Sequence, residues 1–258
     1  MKTHNIQNGR AAGLLVGVAF ATGVASSAQA GTPPDFDAEA YCAASLALED
    51  APEPDIEWDE ADEDELVAAG KVYAVDVLGP LADDIVAAAP PELAEAAATF
   101  DAGVDELAET GDFAVFETPE MTAVFEEAHA FDLATCGWNV VEVNAVDYHY
   151  ENLPTELPSG PTSFELGNTG EEPHELAVFR KNDGVTMSVE ELLEVPEEEV
   201  FDLVTFVDQA FADPGGHGYT VQNLTPGDYV ALCFVPTGGE DGPPHITHGM
   251  YAEFTVVA

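Results

Sequence analysis

Residues 223–250 read Asn-Leu-Thr-Pro-Gly-Asp-Tyr-Val-Ala-Leu-Cys-Phe-Val-Pro-Thr-Gly-Gly-Glu-Asp-Gly-Pro-Pro-His-Ile-Thr-His-Gly-Met. Pro226-Gly227-Asp228 has turn chemistry: proline presets φ, and glycine and aspartate tolerate the reversal. Tyr229–Val235 then has the aromatic and β-branched content of a strand, Gly238-Gly239 ends it, and Tyr251–Val257 resumes the pattern. The same text runs upstream. Val141, Val143 and Ala145 alternate with polar residues, and Ser163–Gly167, Glu175–Arg180 and Tyr219–Leu224 are further strand candidates, punctuated by Gly170 and Asp183-Gly184. Several short strands spaced in this way predict a sandwich or barrel. Ser188–Ala212 breaks the pattern. Ser188 followed three residues later by Glu191 is a capping box, and the stretch reads as a helical insertion between two strands.

Before Trp138 the periodicity is different. Leu93, Ala97, Phe100, Val104 and Leu107 form one apolar helix face, with Pro90 and Pro91 at its start. Met121, Val124, Phe125 and Ala128 form another, with Thr118 as N-cap and Pro119 as the first helical residue. Asp37–Leu48 and Asp62–Leu78 fit helices too, the second interrupted at Gly79-Pro80, with a short helix to about Ala88. Glu49–Ala61 is acidic, contains proline and reads as a loop. The expectation is an α+β multidomain chain: a targeting segment over 1–30, an α-helical bundle over 31–137 and a β-sandwich or barrel over 138–258.

The chain has 258 residues, with 51 Asp or Glu against 5 Lys or Arg and a formal charge of −46. Nothing in it can neutralise a run of phosphates, which excludes nucleic acid and an anionic membrane surface as partners. Lys2 and Arg10, an apolar run over Ala11–Ala25 and then Ala28-Gln29-Ala30 make the pattern of a secretory signal peptide. Its apolar run of about fifteen residues is shorter than the ~20 of a spanning helix, and no later stretch is long enough. A soluble exported protein, secreted or periplasmic and cleaved after Ala30, is expected. Its 51 acids would then face only Lys71, Arg180 and Lys181. Self-repulsion of that size is relieved at high ionic strength, which points to a halophilic setting. Nothing in the sequence sets an oligomeric state.

Of three cysteines, Cys42 lies on the first helix and Cys136 after the last helix of the same domain, and in an oxidising compartment these two are expected to pair. Cys233 is left as an inert core residue, an intermolecular disulfide or a metal ligand. Its sequence neighbours favour the last. His245, His248 and Met250 follow it, and His174 stands upstream in Glu172-Pro173-His174-Glu175-Leu176. One thiolate, two imidazoles and a thioether are the ligand types of a blue-copper site, and the thioether argues against zinc. His217 reads as a turn residue, and His149 and His129 have no partner in sequence. The acidic runs Asp59–Glu65 and Glu197–Glu199 read as solvated faces. No nucleotide loop, nucleophile elbow, HExxH motif or EF-hand spacing is present.

These residues resemble the cupredoxin family over about 141–258. Asn223–Tyr229 running into Cys233 is similar to the PGxY-like turn that precedes the family's cysteine strand. His245 with four residues before Met250 resembles the family's closing His and Met, and the approach through Asn168-Thr169-Gly170 to His174 resembles that to its first His. The resemblance implies an antiparallel Greek-key β-sandwich over 138–258, carrying the helical insertion and one type 1 copper held by His174, Cys233, His245 and Met250, with His248 as an alternative to His245. Eleven residues separate Cys233 from His245, where simple members have two to four, and Glu175 stands where many carry Asn or Ser. The long loop and the His245…Gly249-Met250 spacing resemble copper nitrite reductases, but the second copper domain of those enzymes is not legible here. The implied function is electron transfer to a redox partner protein, a basic one given the charge, with His245 presenting its ring edge at the surface and no substrate chemistry. The alternatives are a cupredoxin-like interaction module without copper, and copper storage or delivery using His248 or His217.

Overall fold

A computed structural model describes residues 36–54, 56, 61–239 and 242–258. The expected signal peptide and its cleavage point lie outside the described residues, as does part of the Glu49–Ala61 loop. Two compact units are formed, one ending at Gly137 and the other spanning Trp138–Ala258. Among the described residues, no helix is long and apolar enough to cross a membrane.

The first unit is helical: α1 Ala38–Glu49, α2 Glu63–Tyr73, a π-helical turn Ala74–Leu78, α3 Gly79–Ala88, α4 Ala94–Thr110, a 3-10 turn Phe113–Glu117 and α5 Pro119–Thr135. Asp62 and Glu65 close a capping box on α2, and Thr118 caps α5 by accepting from the Met121 N–H. The stripe Leu93, Ala97, Phe100, Val104 and Leu107 is buried. The expected interruption at Gly79-Pro80 does not occur. The Gly79 N–H reaches back five residues to the Ala74 carbonyl, and this wider turn accommodates a proline that lacks an N–H. Cys42 on α1 is bonded to Cys136, the C-cap of α5. The same two helices are joined by Tyr41 edge-on to Phe131 at 5.3 Å and by the Ser45 hydroxyl donating to Asp132 at 2.6 Å.

Among the described residues, the second unit has nine strands: β1 Asn139–Val146, β2 His149–Glu151, β3 Glu156–Pro158, β4 Gly160–Asn168, β5 His174–Lys181, β6 Val204–Ala212, β7 His217–Leu224, β8 Gly227–Leu232 and β9 Tyr251–Val257. They form two sheets, ordered β2-β1-β4-β7 and β3-β9-β8-β5-β6. Val141, Val143, Phe164 and Leu166 from one sheet meet Leu176, Val178, Ala231, Phe254 and Val256 from the other in one core. The sheets are mixed rather than purely antiparallel: β1 runs parallel to β4, and β3 to β9. Between β1 and β4 the chain adds β2 to one sheet and β3 to the other, and this excursion lets β4 return in the direction of β1.

The expected helix over Ser188–Ala212 is also corrected. Only Val189–Leu193 (α6) and Glu197–Val200 (α7) are helical, and Val204–Ala212 is an edge strand paired with β5 from Lys181↔Val204 to His174↔Ala212. Val200, Leu203, Val204 and Val207 fit a helical spacing, but pairing overrides propensity in a run rich in Val, Thr and Phe. Val189 and Leu192 pack on Ala177, Phe179 and Val230. This covers the outer face of the sheet, so β5 is buried on both sides and loses its alternation.

Candidate metal centre

Three segments meet at one end of the sandwich. Asn168 shapes the approach to β5. Its amide donates to the Glu172 and Ala212 carbonyls at 2.8 and 2.9 Å, and its oxygen accepts from Gly170 N–H at 2.8 Å. His174 is the first residue of β5. The turn before β8 is pinned by Tyr229, a buried side chain whose hydroxyl donates to the Thr225 carbonyl at 2.8 Å. The β5–β8 register ends at Ala177↔Leu232, which brings Cys233 beside β5, where Glu175 N–H lies 3.5 Å from Sγ.

The eleven-residue segment between Cys233 and His245 is a closed excursion. His245 N–H donates to the Val235 carbonyl at 2.9 Å and Ile246 N–H to the Cys233 carbonyl at 2.8 Å. Cys233 N–H donates to Met250 O, and Met250 N–H to His245 O, both at 3.2 Å. These bonds tie the two ends of the segment together beside the cysteine.

His174, Cys233 and His245 are each 0% exposed, and their ligand atoms lie within 4.8 Å of one another. His174 Nδ1 is 3.1 Å from His245 Nδ1, which is 3.4 Å from Cys233 Sγ. Only one proton fits between the two Nδ1 atoms, so at least one lone pair faces the centre while the rings are neutral. Two imidazole nitrogens and a thiol, with no carboxylate among them, form a soft set that fits copper or zinc and is poor for calcium or magnesium. Met250 is also 0% exposed and lies in the same core cluster as Cys233. His248 is exposed and outside the cluster, its ring 4.8 Å from Tyr148. His217 pairs with Glu165 at 3.0 Å, His149 lies 3.7 Å from Glu151, and His129 is buried in the helical unit.

The expectation that His245 shows its ring edge to solvent is not met. Its outer nitrogen, Nε2, is 3.0 Å from Glu172 Oε2, and Tyr148 packs edge-on against the ring at 5.0 Å. His174 Nε2 is 3.2 Å from Asp147 Oδ1. Asp147, Tyr148 and Glu172 were not among the residues read as functional. Glu172 stands two residues before His174, which is a local signal, whereas Asp147 reaches the site only because the β1–β2 turn folds over it.

Burial pushes the Cys233 thiol up to about 12, and the Glu175 carboxylate beside it adds to the shift. A buried, protonated thiol is inert. Burial likewise pushes Glu175 up to about 7, opposed by its bond from Phe234 N–H at 2.5 Å. Desolvation lowers both His174 and His245, which favours neutral rings. Burial would raise Asp147, but the Glu171 N–H, His174 and the Glu172 N–H together bring it below its usual value. Glu172 is lowered chiefly by Gly238 N–H, with help from Tyr148 and His245 against burial.

A β-sandwich carrying a buried His–Cys–His cluster at one end has the cupredoxin arrangement, and the Trp138–Ala258 unit resembles that family. No family model matches the sequence, and no curated protein does. Solved structures similar to the chain include dithionite-reduced auracyanin from Roseiflexus castenholzii, at 21% identity over 46% of this chain and 98% of that one, TM-score 0.33. Auracyanin A from Chloroflexus aurantiacus, described as a blue copper protein, matches at 13% identity over 47% and 100%, TM-score 0.33. Rusticyanin from Thiobacillus ferrooxidans matches at 18% identity over 47% and 79%, TM-score 0.30.

Proposed function

We propose that the chain is an exported electron-transfer protein with a single type 1 copper held by His174, Cys233, His245 and Met250. The observation that carries the reading is the convergence of two Nδ1 atoms and one thiol in a fully buried cluster. When bound, copper supplies one-electron exchange between Cu(I) and Cu(II). Cys233 would hold the ion as a thiolate and carry the electronic coupling, His174 at the start of β5 and His245 in the segment between β8 and β9 would hold it through their Nδ1 atoms, and Met250 would be the weak fourth ligand. Backbone N–H groups that are already in place, Glu175 toward Sγ and Ile246 toward the Cys233 carbonyl, hold the cysteine with little rearrangement. The N-terminal signal pattern and the preponderance of acids support export and a basic redox partner. Residues 31–137 are proposed as a separate helical bundle domain, and 138–258 as the copper domain.

The test is an absorption spectrum of the full chain titrated with Cu(II) in molar salt, beside Cys233→Ala. An intense visible band that is lost in the variant supports thiolate–copper ligation. No band and no retained metal would refute the reading.

A further inference from the structure

We infer that Asp147 and Glu172 are a matched pair of positioning residues: they hold both buried imidazoles as Nε2–H tautomers, so that both Nδ1 lone pairs and Cys233 Sγ face one point. The inference deepens the copper reading and rests on it for its second readout only.

Each ring N–H has two places to go. Outside the cluster it meets a carboxylate, at 3.2 Å for His174 and 3.0 Å for His245. Inside, it meets the other ring's neutral nitrogen at 3.1 Å. A charged acceptor forms a hydrogen bond roughly twice as strong as a neutral one, so the proton goes outward on both rings and both inner nitrogens become ligand atoms. An outer carboxylate also raises the basicity of a ligating imidazole.

The two carboxylates are held by groups other than the histidines. Asp147 Oδ1 accepts from the N–H groups of Glu171 and Glu172, at 2.9 and 3.4 Å. Glu172 Oε1 accepts from Gly238 N–H at 2.7 Å, and its Oε2 from the Tyr148 hydroxyl at 3.0 Å. Glu172 thereby pins the long Cys233–His245 loop to the β4–β5 loop. The backbone makes room for the contact: a Cβ at Gly170 would lie 2.8 Å from His174 Nε2 and closer still to Asp147 Oδ1. Glycine at 170 is what allows the carboxylate and the ring to meet.

The pair also adds two negative charges beside neutral rings, which favours the more highly charged ion. Side-chain exposures of 35% for Asp147 and 24% for Glu172 leave some solvent screening.

The test uses the full chain, ¹⁵N-labelled and metal-free, with long-range ¹H–¹⁵N correlation of the imidazoles. The expected result is Nε2–H on both His174 and His245. Asp147→Ala should move the His174 proton to Nδ1, and Glu172→Ala the His245 proton, whereas Asp147→Asn and Glu172→Gln keep an acceptor oxygen and the Nε2–H form. Nδ1–H on either ring in the unmodified protein overturns the inference. The second readout loads Asp147→Asn and Glu172→Gln with a Cu(II) salt. Each lost charge should weaken the preference for Cu(II) over Cu(I) about tenfold, raising the reduction potential by about 59 mV with the visible band kept. A potential unchanged in both variants overturns the inference as well. If the unmodified protein takes up no copper, the copper reading fails, and the tautomers of the metal-free protein decide this inference alone.

Discussion

Replacing both Cys42 and Cys136 by alanine should lower the stability of the helical unit by about 2–5 kcal/mol. The bridge spans 94 residues, and the loop-entropy relation for that length gives about 4–5 kcal/mol at 25 °C. The native contacts between α1 and α5 survive the change: Tyr41 against Phe131, and Ser45 on Asp132. The loss therefore arises mainly in the unfolded chain, which becomes free to expand. Residual structure there would reduce the effect, with about 2 kcal/mol as the low end of typical values. Alanine is preferred to serine because Asp132 Oδ1 lies 4.0 Å from Cys136 Sγ and a hydroxyl at 136 would gain a new bond. The assay is urea unfolding in molar NaCl followed by ellipticity at 222 nm. Thiol titration of the unmodified protein in denaturant should count one free cysteine per chain, Cys233. With a urea slope of about 1–2 kcal/mol per molar, the helical midpoint should fall by at least 1 M. A loss under about 1 kcal/mol, with the bridge verified in the unmodified protein, would refute the entropic account.

Asp132 is 2% exposed, and burial raises its carboxyl above its ordinary value of 3.8, against the bonds from Ser45 and Tyr41. A raised carboxyl favours folding most when protonated, so its contribution should fade as pH rises from about 3.8 through the folded pKa. Asp132→Asn should flatten that part of the pH–stability curve relative to the unmodified protein; identical curves would refute it. Gly170→Ala should cost about 1–3 kcal/mol from crowding at Asp147 and His174, read as a lower thermal midpoint, and a neutral result would mean that the turn can shift. Tyr229→Phe should cost about 1–2 kcal/mol by leaving the Thr225 backbone groups unpaired, measured by tryptophan fluorescence in urea. With a charge of −46, the unfolding midpoint should rise as NaCl shortens the Debye length from about 30 Å at 0.01 M to about 3 Å at 1 M. An equal rise with sucrose would show that charge screening is not the cause.

Local chemistry was legible in the sequence. Ser188 with Glu191 and Thr118 with Pro119 announce helix starts because a cap acts over three residues. Pro226-Gly227-Asp228 announces the turn before the cysteine strand, and the apolar step from Leu93 to Leu107 announces a buried helix face. The residue types around Cys233 already named a soft donor set. Tertiary structure decided the rest, because it depends on what lies opposite. Val204–Ala212 has a sequence that serves either as helix or as strand, and the free edge of β5 made it a strand. The parallel pairing of β1 with β4 follows from a connection that visits both sheets. The closure of the long loop depends on hydrogen bonds between Val235 and His245 and between Cys233 and Ile246. The burial of His245 depends on Glu172 and Tyr148, and the contact of Asp147 with His174 spans 27 residues. Sequence carries interactions between near neighbours; contacts between distant segments exist only once the two sheets have packed.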